Sequence, residues 1–360
     1  MTEFSCGTKI YAGSGAVKIL KEFGAQRLLV VTDPYFAKNG TARRLAELSG
    51  SPHWEVYDHV KPDPTVTLAA EGTAKMKEFE PDLVVALGGG SAMDCAKAML
   101  YFSGSNAKLV AVPTTSGSGS EVTDFSILTH GGVKHPLVDE RIRPWAAILD
   151  DEVLAGLPAS LVADAGFDIL SHALEALAGK KAGAITDALA RDSFCAAFSA
   201  LPASFAGQQR VRLRIHTAAT MAGMAFTQAG LGVCHALSHS LGGLYHVPHG
   251  RLNAILLPAV VEHNASAAGQ KYAELARAAG LGGAAEVMAV RNLKNALIRL
   301  RKQLQMPGSL AEAGVSPAQV EKDREKILAA ALADPCCDTN PVTVDKLFLL
   351  SILDEVMGRG

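Results

Sequence analysis

The chain has 360 residues, 49% hydrophobic and 19% charged, and a formal net charge of −2. That length exceeds what one core usually covers, so two domains are expected, and the apolar content excludes a disordered chain. The near-neutral charge excludes the electrostatic footprint of a nucleic-acid or membrane-surface binder.

The amino terminus, MTEFSCGTKIYAGSG, lacks the charged and apolar regions of a signal peptide. No uninterrupted apolar run reaches the roughly 18 residues that a membrane span needs. A cytoplasmic protein is expected. Cys6, Cys95, Cys195, Cys234, Cys336 and Cys337 are scattered with no CxxC spacing, which favours reduced thiols over a disulfide framework.

Short β-rich runs then alternate with amphipathic stretches. Arg27 to Thr32, Trp54 to Tyr57, Asp82 to Leu87, Lys108 to Pro113 and Ala146 to Leu149 read as buried parallel strands. Thr41 to Leu48 and Thr67 to Glu78 read as crossover helices between them. Two apolar runs about a Gly-Gly pair in Ser126 to Asp139 suggest a β-hairpin before the last strand. The pattern predicts a Rossmann-like α/β domain with a parallel sheet over residues 1–158 and an all-helical domain over 159–360. Turn signals in the helical part fall at Leu201-Pro202, Gly280 to Gly283 and Met306 to Ser309.

Gly88-Gly89-Gly90-Ser91 follows a strand and opens a helix, where backbone N–H groups and the helix dipole favour a pyrophosphate. The spacing is not GxGxxG, and a tight turn explains the same residues. Thr114 to Glu121, TTSGSGSE, lies at the end of the next strand, and two such loops on neighbouring strands point to a dinucleotide crevice. Asp33, at the end of an earlier strand, could accept ribose hydroxyls and repel a 2'-phosphate, which favours NAD over NADP; a turn aspartate before Pro34 is the alternative.

In the helical part, CHALSHSLGGLYHVPHGRLN from Cys234 to Asn253 places His235, His239, His246 and His249 close together. His235 and His239 are four apart and share a helix face, while Pro248 and Gly250 suggest that His249 sits on a tight loop. Upstream, Asp168 and His172 are also four apart. A carboxylate with several imidazoles suits a divalent first-row metal, although any single histidine is more often a satisfied core residue.

Taken together, Gly88-Gly89-Gly90-Ser91 with Asp94 and Lys97, PTTSGSGSEVT from Pro113, Asp168 with His172, and the motif from Cys234 to Pro258 resemble the iron-containing (group III) alcohol dehydrogenase family. The resemblance covers essentially the whole chain, and within the family it leans toward short-chain alcohol and aldehyde enzymes. It implies a dehydroquinate synthase-like fold and hydride transfer between NAD(H) and a small primary alcohol or aldehyde. Asp168, His172, His235 and His249 would ligate Fe(II), with Zn(II) accepting the same donors. His239 would stand beside the metal as the proton relay. For NAD the resemblance implies Asp33, Asp63, Gly89, Gly90, Ser91, Asp94, Thr114, Thr115, Ser118 and Lys134. Phe125, Phe226 and the Cys336 to Asn340 segment would lie near the substrate, and His246 would line the pocket at most. A homo-oligomer, at least a dimer, is implied as well.

Two other readings compete. A dehydroquinate synthase-like lyase would need basic residues for an acidic phosphorylated sugar, and Arg251 alone stands beside the ligand motifs. A non-catalytic metal- or nucleotide-binding protein would have no need of a full ligand set together with two phosphate loops.

Overall fold

A computed structural model describes residues 4–131 and 133–358 and divides into two compact units, Ser5–Leu157 and a second that begins at Pro158. The first contains β1 (Lys9–Ala12), β2 (Arg27–Val31), α1 (Pro34–Lys38), α2 (Thr41–Ser49), β3 (His53–Tyr57), α3 (Val66–Phe79), β4 (Leu83–Gly88) and α4 (Gly90–Ser103). After them come β5 (Lys108–Pro113), β6 (Phe125–His130), β7 (Val133–Val138) and β8 (Ala146–Leu149). Six strands form one parallel sheet in the order β1-β8-β5-β4-β2-β3.

The sheet is covered on both faces, as a parallel sheet requires. Leu29, Val31, Val84 and Ala86 pack with Leu68 and Met76 of α3 and Met93 and Met99 of α4. Their neighbours Leu28, Val30, Val85 and Leu87 pack instead with Ala42 and Leu45 of α2 and with Val17 and Leu20. Each Val, Leu or Met among these contributes about 1.5–3 kcal/mol on full burial. Alternation along each strand therefore serves two cores, and the runs read as continuously apolar.

One expectation for this unit needs correction. Trp54 to Tyr57 is not a buried strand: β3 lies at the sheet edge, and of its five residues only Tyr57 is buried. At the opposite edge is β1, whose four residues are mostly exposed and carry no apolar run to announce them. The hairpin formed by β6 and β7 is antiparallel as expected. Gly132, the second glycine of the pair expected at its turn, lies outside the described residues.

The second unit contains α5 (Ala159–Ala178), α6 (Ala184–Phe205), α7 (Arg212–Ala229), α8 (Val233–Tyr245) and α9 (His249–Ala278), followed by α10 (Glu286–Gln303), α11 (Pro317–Leu332), α12 (Cys336–Thr339) and α13 (Lys346–Val356). Among its described residues there is no strand. No helix of the described residues is long and apolar enough to cross a membrane.

Leu201-Pro202 is not a turn. Pro202 lies inside the last turn of α6, and its carbonyl accepts the N–H of Ala206 at 3.1 Å. Lacking an N–H, Pro202 cannot bond back to the Phe198 carbonyl, and α6 gives up that one hydrogen bond. The chain turns instead at Gly207, where φ is +86°.

His249 is not on a loop either. It opens α9 directly after Pro248. The adjacent glycine answers a close approach rather than a tight loop, because a Cβ on Gly250 would sit 1.9 Å from the backbone oxygen of Asp164. Gly250 thus lets α9 press against α5, bringing His249 toward Asp168.

Candidate metal centre and dinucleotide cradle

Asp168 and His172 project from one face of α5, with His235 and His239 on α8 and His249 at the start of α9. Asp168 Oδ1 lies 3.4 Å from His249 Nε2, 3.8 Å from His172 Nε2 and 3.9 Å from His235 Nε2. In a tetrahedral site with metal bonds near 2.0–2.1 Å, ligand atoms stand roughly 3.4 Å apart. Ligand atoms of Asp168, His172 and His235 all lie within 4.8 Å of one another, and His249 approaches the same group through Asp168 Oδ1.

The neighbours of these groups fix which atoms face inward. Glu175, one further turn along α5, places Oε2 2.5 Å from His235 Nδ1. The same oxygen accepts the Gly232 N–H at 2.9 Å, and Oε1 accepts the Cys234 N–H at 2.6 Å. Asn340 Oδ1 accepts the N–H of Val233. Glu175 and Asn340 therefore supply the cap of α8, whose N-cap residue, Gly232, has no side chain to do so.

With Nδ1 of His235 committed to Glu175, its Nε2 is left buried with no hydrogen-bond partner among the described residues. Such an orphaned acceptor is what a metal ligand leaves when the ion is removed, and the carboxylate behind the imidazole is the usual outer partner of a metal-bound histidine. His172 Nδ1 is also buried without a hydrogen-bond partner, but it is the ring nitrogen turned away from the one that approaches Asp168. Asp168 Oδ1 accepts a hydrogen bond from Asn253 Nδ2 at 2.9 Å, and Asn253 Oδ1 in turn accepts the Ser238 hydroxyl at 2.5 Å.

Burial governs the charges here. It pushes the Asp168 carboxyl up, against the pull of His172 and Asn253, and raises Glu175 to about 7 despite the amides of Gly232 and Cys234. Burial also holds His235 well below the usual imidazole range, with His172 and His239 adding to the effect. A buried carboxyl beside an imidazole that burial keeps neutral is a donor set that a divalent cation completes.

His239 does not join Asp168. Its Nδ1 lies 2.7 Å from Asp334 Oδ2, and its ring stacks on His249 with centroids 5.2 Å apart. Ligand atoms of His239, Asp334 and Cys336 also fall within 4.8 Å of one another. Phe226 packs on His172, ring centroids 4.4 Å apart. His246 is exposed and closes α8 in the left-handed conformation, φ +55°, so it caps a helix.

Glu175, Asn253 and Asp334 were not singled out from sequence. The first had a signal. Asp168, His172 and Glu175 follow one another at i, i+4 and i+7, a single helix face.

In the other unit, Gly88 pairs with Pro113 across β4 and β5, and Thr114 N–H donates to Gly88 O at 2.9 Å. That pairing sets the two glycine- and serine-rich loops side by side. Gly88 has φ +152°, and a Cβ there would sit 2.6 Å from that of Ala92. On Gly89 a Cβ would lie 3.0 Å from Thr115 Oγ1, and on Gly90 3.3 Å from Ser118. Bare backbone thus lies at the N-terminus of α4, where dipole and N–H groups suit an anion. Gly89, Gly90, Ser91, Thr115 and Ser118 are half-exposed around this cradle, whereas Thr114 is buried.

Asp94 accepts the Ser120 hydroxyl at 3.0 Å, and burial raises its carboxyl to about 6 against the pull of Lys97. Lys97, fully buried, donates to Ser120 Oγ, Thr123 Oγ1 and Phe125 O at 2.9–3.0 Å and ties the second loop to α4. Lys134 and Asp63 are brought together as an ion pair at 2.8 Å. Asp33, at the carboxyl end of β2, accepts the N–H groups of Tyr35 and Phe36 through Oδ1 and caps α1. The turn role weighed for it is present, and Oδ2 is not used in that cap.

Residues 7–151 match the family model described as iron-containing alcohol dehydrogenase, and residues 162–357 match that of the Fe-containing alcohol dehydrogenase family, C-terminal. The chain is similar over 99% of its length to all of the 1-propanol dehydrogenase PduQ of Citrobacter freundii, at 37% identity. Among solved structures it resembles a 1,3-propanediol oxidoreductase, with a TM-score of 0.93 and 30% identity over 99% of this chain and 100% of that one. It also resembles a sulfoacetaldehyde reductase from Bifidobacterium kashiwanohense in complex with NAD+, with a TM-score of 0.91 and 26% identity over 100% of both chains.

Proposed function

The chain belongs to the iron-containing alcohol dehydrogenase family, and from that premise we propose that it is a metal-dependent, NAD-linked oxidoreductase of small primary alcohols and their aldehydes. The observation that carries this reading is the convergence of three imidazole Nε2 atoms on one buried carboxylate oxygen, with His235 Nε2 left orphaned. Asp168, His172, His235 and His249 would hold the cation, Fe(II) by family or Zn(II) on the same donors. When bound, the cation supplies Lewis acidity toward an alcohol or carbonyl oxygen, and the nicotinamide supplies the hydride acceptor or donor.

The remaining work falls to the chain. Glu175 orients His235 and, by accepting its Nδ1–H, makes Nε2 a better donor. Gly89, Gly90 and Ser91 offer backbone to the pyrophosphate, flanked by Thr115 and Ser118, while Thr114 holds the second loop against Gly88. Asp94 lies within the cradle. Asp33 favours NAD, since a carboxylate beside the ribose repels a 2'-phosphate. The Asp63–Lys134 pair would border the adenosine end. His239 would move the hydroxyl proton, its side chain being 33% exposed and so within reach of solvent. Full-length similarity to a 1-propanol dehydrogenase supports a short, unbranched alcohol.

The test is anaerobic: protein reconstituted with Fe(II), NAD and a panel of primary alcohols from ethanol to butanol, with NADH absorbance as readout. Turnover that requires the metal supports the reading. No turnover with any alcohol, and none with the aldehydes and NADH, would remove it.

A further inference from the structure

His239 stands one turn beyond His235 on α8, its ring stacked on that of His249 and edge-on to that of His235. Its Nδ1 is 2.7 Å from Oδ2 of Asp334, a residue 95 positions away between α11 and α12. Asp334 is not a loose surface carboxylate. Its side chain is 15% exposed, and its other oxygen, Oδ1, accepts the backbone N–H of Cys336 at 2.8 Å. Both oxygens are therefore committed, one to a backbone that cannot rotate away and one to the imidazole.

A carboxylate can only accept. The hydrogen in the His239–Asp334 contact belongs to Nδ1, which leaves the ring's lone pair on Nε2. We propose that Asp334 is a positioning residue for proton transfer: it fixes His239 in the Nδ1–H tautomer, so that Nε2 takes the hydroxyl proton of the alcohol. This rests on the dehydrogenase reading above. As the C–H bond of the alcohol breaks, hydride goes to NAD+ and the hydroxyl proton goes to Nε2. Release of that proton to solvent completes the balance of alcohol plus NAD+ against aldehyde, NADH and a proton. In the reverse direction the same nitrogen, protonated, supplies the proton that the aldehyde oxygen gains. Asp334 touches neither substrate nor cofactor and acts through the ring.

The decisive variant is Asp334→Asn. Oδ1 must stay an oxygen to keep the Cys336 N–H satisfied, which turns the new amide nitrogen toward His239 and makes Nδ1 the acceptor. The ring proton then moves to Nε2, the nitrogen that has to accept the substrate's proton. Turnover should fall roughly 100- to 10,000-fold, the range for losing a correctly presented general base, while KM, bound metal and Tm stay near wild type.

Nitrogen NMR of histidine-labelled, zinc-loaded protein reads the tautomer without turnover. Wild type should show His239 protonated at Nδ1, and Asp334→Asn should show it at Nε2. A wild-type His239 protonated at Nε2 overturns the proposal, as does a variant with both tautomer and turnover unchanged. If the tautomer flips as expected but no alcohol is oxidised even by wild type, the dehydrogenase reading fails, while the control of His239 by Asp334 stands.

Discussion

Replacing Glu175 with glutamine isolates the support behind one metal ligand. The carboxylate accepts three hydrogen bonds, from His235 Nδ1 and Gly232 N on Oε2 and from Cys234 N on Oε1. Glutamine has one oxygen. Keeping it at the Oε2 position retains two of the three and sets the amide nitrogen against the Cys234 N–H, stranding a buried donor at a cost of about 1–3 kcal/mol. An opposing effect comes from charge. Burial raises Glu175 from 4.5 to about 7, so its contribution to stability is full below 4.5 and is lost as pH rises through 7. At pH 8 glutamine is spared that loss, about 3 kcal/mol, so the metal-free variant should keep a Tm close to wild type. The metal should not be indifferent. Without the carboxylate behind it, His235 Nε2 becomes a poorer donor, and affinity should fall about 10- to 100-fold, or about 1.4–2.7 kcal/mol. Zinc titration against a calibrated chelator at pH 8, paired with thermal unfolding of the metal-free protein, separates the two. An unchanged metal affinity would refute the claim that Glu175 tunes a ligand, and so the assignment of His235 as that ligand.

Three further outcomes follow from the same geometry. His249→Ala should lose metal and His239→Ala should keep it with reduced turnover; elemental analysis showing the reverse would exchange their roles. Gly250→Ala puts a Cβ 1.9 Å from the Asp164 backbone oxygen, and since a main-chain atom cannot rotate away, at least about 3 kcal/mol of stability and most of the bound metal should go. Wild-type Tm and metal content in that variant would show that α9 does not press on α5 as described. Asp94 is raised from 3.8 to about 6 by burial, so its contribution is full below 3.8 and lost as pH rises through 6. Asp94→Asn should therefore gain up to about 3 kcal/mol relative to wild type between about pH 4 and pH 7, measured by urea unfolding, while its NAD affinity falls. A pH-independent difference would contradict the buried carboxyl.

Much of the fold was legible because its signals are local. The interior strands of the sheet are unbroken apolar runs, and the Gly88 to Ser91 turn sits at the end of one of them. Asp168 with His172, and His235 with His239, advertise themselves by a spacing of four. What stayed hidden depends on tertiary context. A four-residue exposed edge strand such as β1 has no pattern to detect, and Pro202 reads as a turn although α6 continues through it to Phe205. Nothing near Gly250 in the sequence reveals the α5 backbone against it, so a helix start looked like a loop. Asp334 reaches His239 from 95 residues away and leaves no local trace. Asp33 was open between a ribose contact and a turn, and its hydrogen bonds to Tyr35 and Phe36 show the turn role in place. Glu175 is different, since the helical period already aligned it with Asp168 and His172.

The most direct test of the central claim is X-ray absorption at the metal edge of the reconstituted enzyme, because it distinguishes nitrogen and oxygen from sulfur. Coordination by Asp168, His172, His235 and His249 predicts a shell of nitrogen and oxygen alone at about 2.0–2.2 Å, with the outer scattering of three imidazoles. A sulfur scatterer at about 2.3 Å would instead put the ion at His239, Asp334 and Cys336 and contradict the account.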